Sequence, residues 1–112
     1  MKNILEQILQ QAITSHREGK IEDAEALYIK ILKNNSKHPL ASYNLGVVEL
    51  SRKNIETSLS LFRTAVEEDP YNEKFQKTYI ATLINVKQFI EAEKFLKKII
   101  NNKPTLQNLT IC

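Results

Sequence analysis

The sequence predicts an all-α fold made of repeated helical hairpins, and three observations support this prediction. Glycine and proline contribute only two and three of the 112 residues, fewer than the turns of a many-stranded protein require. Alanine, leucine, isoleucine, glutamate and lysine dominate the composition instead. The chain also aligns with itself after a shift of 34 residues, and a period of that length is typical of stacked helical hairpins.

The repeat is clearest in three segments that align without gaps: Gly19–Ser36, Lys53–Pro70 and Lys87–Pro104. Equivalent positions share a size and polarity, as in the sets Ala24/Ser58/Ala92 and Tyr28/Phe62/Leu96. We therefore expect a single domain over residues 1–106, with repeats at about 5–38, 39–72 and 73–106. Each repeat should contain two helices, six in all. Residues 107–112 would form a C-terminal tail or a partial capping helix.

The second unit shows where its helices begin and end. One helix is predicted from about Pro39 to Arg52, because proline fits the first helical turn. A second is predicted from about Ile55 to Glu68, with Asn54 as its N-cap. It should end before Pro70, since proline disfavours the α conformation in the preceding residue.

Two further asparagines predict helix starts. Asn72 should cap the first helix of the third unit. Asn3, followed by Glu6, resembles a capping box at the start of the first helix.

Gly46 lies inside the predicted helix that contains "SYNLGVVEL", where glycine costs about 1 kcal/mol relative to alanine. We interpret it as a point of close approach between the two helices of its hairpin. The small residues Ala24 and Ser58 are the expected partners on the second helix of a unit.

The period and these residues resemble the tetratricopeptide repeat (TPR) family. The residues that match its pattern are Ala12, Gly19, Ala24 and Tyr28 in the first unit, Leu45, Gly46, Phe62, Ala65 and Pro70 in the second, and Tyr79, Phe89, Ala92 and Pro104 in the third. The resemblance covers roughly residues 5–106 and implies a right-handed solenoid of three TPR-like repeats. Ile80 departs from the pattern, because glycine or alanine is usual there, and predicts looser or differently angled packing in the third unit.

Composition argues against several classes of protein. Basic and acidic residues alternate and the formal net charge is only +3, which favours a solvated surface over a nucleic-acid interface. The single cysteine, Cys112, permits no disulfide within the chain. No apolar window suggests a signal peptide or a membrane span, so we expect a cytoplasmic protein without membrane partners.

The sequence contains no recognisable catalytic constellation. His16, His38 and Cys112 are too few for a structural zinc site. Two scattered glycines make no phosphate-binding loop, and adjacent carboxylates such as Glu67 and Glu68 diverge on a helix. We expect no enzymatic activity, no metal and no cofactor.

The resemblance implies that the first helix of each unit lines a concave groove. The spacing of Tyr43, Val47 and Leu50 at i, i+4 and i+7 independently predicts such a stripe. The predicted partner-binding residues, an apolar surface with a basic edge, are Leu9, Ile13, His16, Arg17, Tyr43, Asn44, Val47, Leu50, Lys74, Lys77, Thr78, Ala81 and Ile84. An alternative is that the apolar members belong to the core of a tighter bundle.

These features favour an adaptor that binds a peptide or amphipathic segment of a protein partner. One subclass of the family clamps a C-terminal carboxylate, but only Asn44 and Lys74 match its residues, so we do not expect that ligand. A first alternative is a structural module that forms a homodimer through an uncapped C-terminal end. A second is a stand-alone relative of the TPR modules that precede transferase domains. An RNA-binding repeat is disfavoured by Leu9, Tyr43 and Val47.

Overall fold

The computed structural model describes residues 4–102, which form six α-helices and no strand. The prediction of an all-α fold is therefore confirmed for this part of the chain. The helices are α1 (Ile4–Arg17), α2 (Ile21–Asn34), α3 (Pro39–Ser51), α4 (Ile55–Glu68), α5 (Glu73–Asn85) and α6 (Phe89–Asn102). None of them is long and apolar enough to cross a bilayer.

The helices pack in the order of a stacked hairpin repeat. The pairs α1–α2, α3–α4 and α5–α6 form the hairpins, while α2 packs on α3 and α4 packs on α5 to join one hairpin to the next. The two predicted helices of the second unit agree with the observed α3 and α4 to within one residue. The fold is thus a helical-hairpin solenoid.

Two apolar clusters stabilise the stack, and α3 contributes to both. Ala41, Leu45 and Val48 of α3 join a cluster with residues of α1 and α2. Tyr43 of the same helix joins a cluster with residues of α4, α5 and α6. Since α3 lies between two cores, apolar residues surround it instead of forming a single stripe.

Helix starts follow the predicted chemistry at two of three places. Pro39 begins α3, after His38, whose Nδ1 accepts a hydrogen bond from the amide of Ala41. The side chain of Asn72 caps α5 by accepting from the amide of Phe75 at 3.1 Å, as predicted.

Asn54 is the exception. It occupies the N-cap position of α4, but its side chain makes no capping hydrogen bond. Its Nδ2 instead donates to Oε1 of Glu49 at 2.6 Å, and a hydrogen bond to a carboxylate is stronger than one between neutral groups. The predicted capping box at Asn3 and Glu6 lies partly outside the described residues.

The turn within each hairpin uses a left-handed backbone. Gly19, Lys53 and Lys87, which lie 34 residues apart, have φ values of 82°, 65° and 63°. Glycine adopts this conformation readily, whereas lysine does so at a steric cost. The left-handed conformation of the two lysines was not predicted from their residue type.

The close approach predicted at Gly46 is confirmed, but its partner differs from the expectation. A Cβ atom built on Gly46 would lie 2.5 Å from Cε1 of Phe62. The neighbour is therefore an aromatic ring on α4, which is fully buried, and not the small residue Ser58. Glycine makes room for the ring, so the helix pair gains a large buried side chain.

The last helix of the third unit exposes apolar residues to solvent. Leu96 and Ile100 of α6 are 41% and 64% exposed, whereas the equivalent Phe62 and Val66 of α4 are buried under α5. The difference follows from position, because no helix follows α6 within residues 4–102. The predicted tail at 107–112 lies outside the described residues.

Candidate partner-binding groove

The predicted groove residues lie on α1, α3 and α5, and the structure joins α3 to α5 through Tyr43. The hydroxyl groups of Tyr43 and Thr78 are hydrogen-bonded, with 3.0 Å between their oxygen atoms. The Tyr43 ring stacks on Phe75 with 4.6 Å between centroids. Nζ of Lys74 lies 5.5 Å from the centre of the same ring, within the range of a cation–π contact. These contacts fix the relative position of three predicted groove residues.

A small pocket joins α1 to α3. It has a volume of about 230 Å³ and is lined by Ile13, His16, Arg17, Tyr28 and Asn44. Nδ1 of His16 lies 3.4 Å from the hydroxyl oxygen of Tyr28, and the rings meet edge to face at 6.1 Å. Four of the five lining residues belong to the predicted groove.

Tyr28 also lines this pocket, although it was not among the predicted groove residues. Burial raises the pKa of the Tyr28 hydroxyl, and a hydrogen bond with the Asn44 side chain partly offsets that shift. The hydroxyl is therefore a neutral group that can donate or accept a hydrogen bond. The repeat pattern marked Tyr28 only as equivalent to Phe62 and Leu96, because the position of its hydroxyl depends on how α2 packs against α1 and α3.

The expectation of one continuous exposed apolar patch is wrong at two residues. Leu9 and Tyr43 are only 7% and 6% exposed and belong to the two core clusters. Ile13, Val47 and Leu50 are half-buried and pack against these clusters. The alternative interpretation, that apolar members belong to the core, holds for Leu9 and Tyr43. The physical reason is that residues of α2 and α3 cover Leu9, and residues of α4 and α5 cover Tyr43.

Six of the eight remaining predicted residues have polar or cationic side chains. Arg17, Lys74 and Lys77 are exposed, whereas His16, Asn44 and Thr78 are half-buried. Ala81 and Ile84 are exposed, Ile84 at 47%, because no helix of the described chain packs on that side of α5. The groove face thus combines a partly apolar floor with amide, hydroxyl and cationic groups, which are suited to bind peptide amides and carboxylates.

Within the described residues, no group of three histidine, cysteine or carboxylate side chains converges to hold a metal ion. The groove side chains themselves are of types that bind by hydrogen bonding and charge.

Comparison with protein families gives a match. A family model described as a tetratricopeptide repeat matches residues 9–73, more than half of the chain. The sequence has no significant match among curated proteins.

Three solved structures illustrate the similarity of fold. The first TPR domain of Spaghetti (RPAP3), bound to the HSP90 peptide SRMEEVD, has a TM-score of 0.73 at 17% identity, covering 90% of this chain and 80% of that one. The Yersinia enterocolitica type III secretion chaperone SycD, in complex with a peptide of the translocator YopD, has a TM-score of 0.74 at 20% identity, with 99% and 87% covered. MamA residues 41 to the end from Desulfovibrio magneticus RS-1 has a TM-score of 0.72 at 23% identity, with 92% and 58% covered. At these identities the similarity shows the fold alone.

Proposed function

This chain belongs to the tetratricopeptide repeat family, and on that premise we propose that it is a non-enzymatic adaptor that binds a peptide or amphipathic segment of a protein partner. The proposed site is the face formed by α1, α3 and α5. The proposal depends mainly on the contacts of Tyr43, which form an ordered wall of this face. Its hydroxyl is hydrogen-bonded to Thr78, and Lys74 lies over its ring. A rigid wall of this kind lowers the entropic cost of binding, because its side chains are already ordered.

The charge of this face favours a ligand with acidic residues. Arg17, Lys74 and Lys77 are exposed there, and cations that flank a groove attract carboxylates and speed their encounter. The half-buried Val47 and Leu50 supply a partly apolar floor. The ligand we propose therefore presents apolar side chains to α3 and an acidic flank to α1 and α5.

Two similar structures contain bound peptides, one from HSP90 and one from YopD. Family membership and these complexes support peptide binding as the general mode of action. The proposed ligand of this chain follows from the chemistry of its own groove face.

The experiment that tests this function is selection of ligands from a phage-displayed random peptide library by the purified protein. Peptides recovered with the wild type are titrated against Lys77→Glu and against Lys30→Glu, a matched charge reversal on the exposed face of α2. Circular dichroism establishes that both variants fold. We expect acidic–apolar peptides whose affinity falls only with Lys77→Glu. Equal affinity for both variants would move the site away from this face.

A second candidate function is homodimer formation through the C-terminal end. It is favoured by one observation, the exposure of Phe89, Leu96 and Ile100 on α6. Exposed apolar residues that form a patch mark interaction sites. Sedimentation equilibrium of the wild type and of Ile100→Glu separates the two functions, because only self-association through this end predicts a dimer that the substitution dissociates.

A further inference from the structure

We propose that the chain has a second binding site, between α4 and α6, for a protein segment that pairs an aromatic or large aliphatic side chain with a neighbouring carboxylate. The site is a pocket of about 380 Å³ lined by residues of α4, α5, α6 and the turn before α5. None of its lining residues belongs to the predicted groove. Its volume falls in the range of about 300–1,000 Å³ that is usual for ligand pockets.

Part of the floor and wall of this pocket is apolar. Tyr79, which is 4% exposed, forms part of the floor. Phe95 stands edge-on to it, with 4.9 Å between ring centroids and an interplanar angle of 82°. Val66 and Ile99 also line the pocket. An aromatic or branched aliphatic side chain would bury its surface against these groups, which is how anchor residues contribute most to binding.

The preceding junction of the repeat carries different side chains at this place. The positions equivalent to Val66 and Phe95 in the preceding junction are Leu32 and Leu61. Both leucines pack against the core cluster of α1, α2 and α3. At the later junction Val66 has one carbon fewer than Leu32 and Phe95 has three more than Leu61, and the Phe95 ring lines a pocket between α4 and α6.

The rim supplies the charge that selects a carboxylate. Nε of Arg63 donates to the hydroxyl oxygen of Tyr79 at 3.2 Å, which positions the guanidinium at the pocket and leaves its Nη groups to bind an anion. Lys94 pairs with Glu91 at 3.8 Å. Lys98 makes no ion pair within residues 4–102. With Glu67 included, the lining has three cations and two carboxylates, so it is complementary to one additional negative charge.

Arg63 and Lys98 together with the Phe95 ring define the chemistry of the ligand. A carboxylate that meets Arg63 and Lys98 lies beside the space enclosed by Val66, Phe95 and Ile99. An acidic residue next to an aromatic or large aliphatic one in a partner would occupy both parts. A purely apolar ligand would leave the rim cations without a partner, and a purely acidic one would leave the pocket unfilled.

The probe for this site is the peptide acetyl-Gly-Glu-Phe-Gly-amide, titrated into the full-length ¹⁵N-labelled protein and followed by amide chemical shifts. We expect saturable shifts at Val66, Tyr79 and Ile99 with a Kd of roughly 1 mM, in keeping with a ligand of this size. The analogue with Gln in place of Glu should bind several-fold more weakly. Unsaturable shifts, or shifts confined to Asn44, Val47 and Lys77, would overturn the proposal.

Two charge reversals on adjacent residues provide the matched control. Lys98 lines the pocket and Lys97 does not, although both are exposed on α6. Lys98→Glu should lower the affinity for the probe peptide by about fivefold, which is the scale of a single exposed charge contact. Lys97→Glu should change the affinity by less than about twofold. Equal losses in the two variants would indicate a diffuse charge effect and overturn the site.

The free protein gives the last decisive observation. Nuclear Overhauser contacts from Leu106 or Leu109 to Phe95 that the probe does not displace would assign the pocket to the chain's own C-terminal segment, and would overturn the proposal of a partner. Failure of this site leaves the groove experiment unaffected, since the two share no residue.

Discussion

The ring of Phe62 on α4 occupies the space into which a side chain on Gly46 of α3 would extend. A Cβ at Gly46 would lie 2.5 and 2.7 Å from two ring carbons, closer than non-bonded carbon atoms approach. The ring is fully buried and lies 5.6 Å from the ring of Tyr43. Glycine therefore determines the distance between α3 and α4, and this distance determines where the central core forms.

Substitution of Gly46 should destabilise the fold strongly. Gly46→Leu forces the ring and the helix apart, and overpacking of this kind costs about 1–3 kcal/mol or more. Thermal unfolding followed by circular dichroism should show a sharply lower Tm. Ala26→Leu on the exposed face of α2 is the control, and it should leave Tm nearly unchanged. A Gly46→Leu variant that melts with the wild type would contradict the packing described.

A double-mutant cycle tests whether Phe62 is the cause. Gly46→Ala and Phe62→Leu should each lower the free energy of unfolding. The double variant should lose less than the sum of the two losses, because the smaller side chain at position 62 makes room for the added methyl group. The third hairpin already has Ile80 and Leu96 at the equivalent positions. Strict additivity in urea unfolding would show that the cost of Gly46→Ala arises elsewhere.

Ser58→Ala should stabilise the protein. The Ser58 hydroxyl is fully buried and has no hydrogen-bond partner in the described chain, and such a group costs about 1–3 kcal/mol. Ala24 and Ala92 occupy the equivalent positions, so alanine suits this site. Urea unfolding should show a free energy of unfolding higher by about 1 kcal/mol. The exposed Ser60→Ala serves as the control, and equal gains in both variants would trace the effect to helix propensity alone.

Asn72→Ala should weaken the start of α5. It removes the hydrogen bond that the side chain accepts from the amide of Phe75, and loss of an N-cap costs about 0.5–2 kcal/mol. Chemical denaturation measures the change. Asn85→Ala, at the opposite end of α5 and exposed, should stay within about 0.5 kcal/mol of the wild type. If the two variants lost the same stability, the cap would not be the reason.

The carboxyl pair Glu25 and Glu49 should give stability a defined pH dependence. The hydrogen bond with Glu25 raises the pKa of Glu49 above its ordinary value of 4.5. The same bond, followed by that from Arg52, lowers the pKa of Glu25 below 4.5. The Glu49 contribution is complete below pH 4.5 and is lost as the pH rises through its folded pKa. The Glu25 contribution is complete above pH 4.5 and is lost as the pH falls through its own.

The stabilising effect of this pair is therefore greatest near pH 4.5 and declines on both sides. Glu49→Gln should remove the loss of stability above pH 4.5, because the amide can donate a hydrogen bond to Glu25 without losing a proton. The stability of the variant relative to the wild type should rise between pH 4.5 and pH 7.5, as measured by urea unfolding at both values. Glu93→Gln, exposed on α6, is the control and should show no such change. A constant difference for Glu49→Gln would exclude a shared proton.

Local signals were enough to predict the helices and their order. The 34-residue period, Pro39 at the start of α3 and Asn72 before α5 depend on chemistry within a few residues, so the chain displays them directly. Asn54 shows the limit of such signals. It has the residue type and position of a cap, yet a carboxylate five residues earlier binds its side chain. Whether the Asn54 side chain caps α4 or donates to Glu49 depends on three-dimensional positions, which no local pattern reports.

The groove was predicted less completely than the fold. The helical spacing of Tyr43, Val47 and Leu50 placed these residues on one face of α3, and that face exists. Whether the face meets water depends on how closely α5 packs against α3, and here Tyr43 stacks on Phe75. Tyr28 and the pocket beside Phe95 were missed for the same reason, since each is defined by side chains from three helices.

The sequence by itself determined the fold class, the repeat, the family and the residue that brings α3 and α4 together. The first three are encoded in the periodicity of the chain. The last is encoded in a residue type, because a glycine inside a helix indicates close packing. Only the tertiary structure decided which ring faces Gly46, which apolar residues of the groove are buried, and where a pocket opens between α4 and α6. These depend on distances between helices, and such distances result from the packing of many side chains at once.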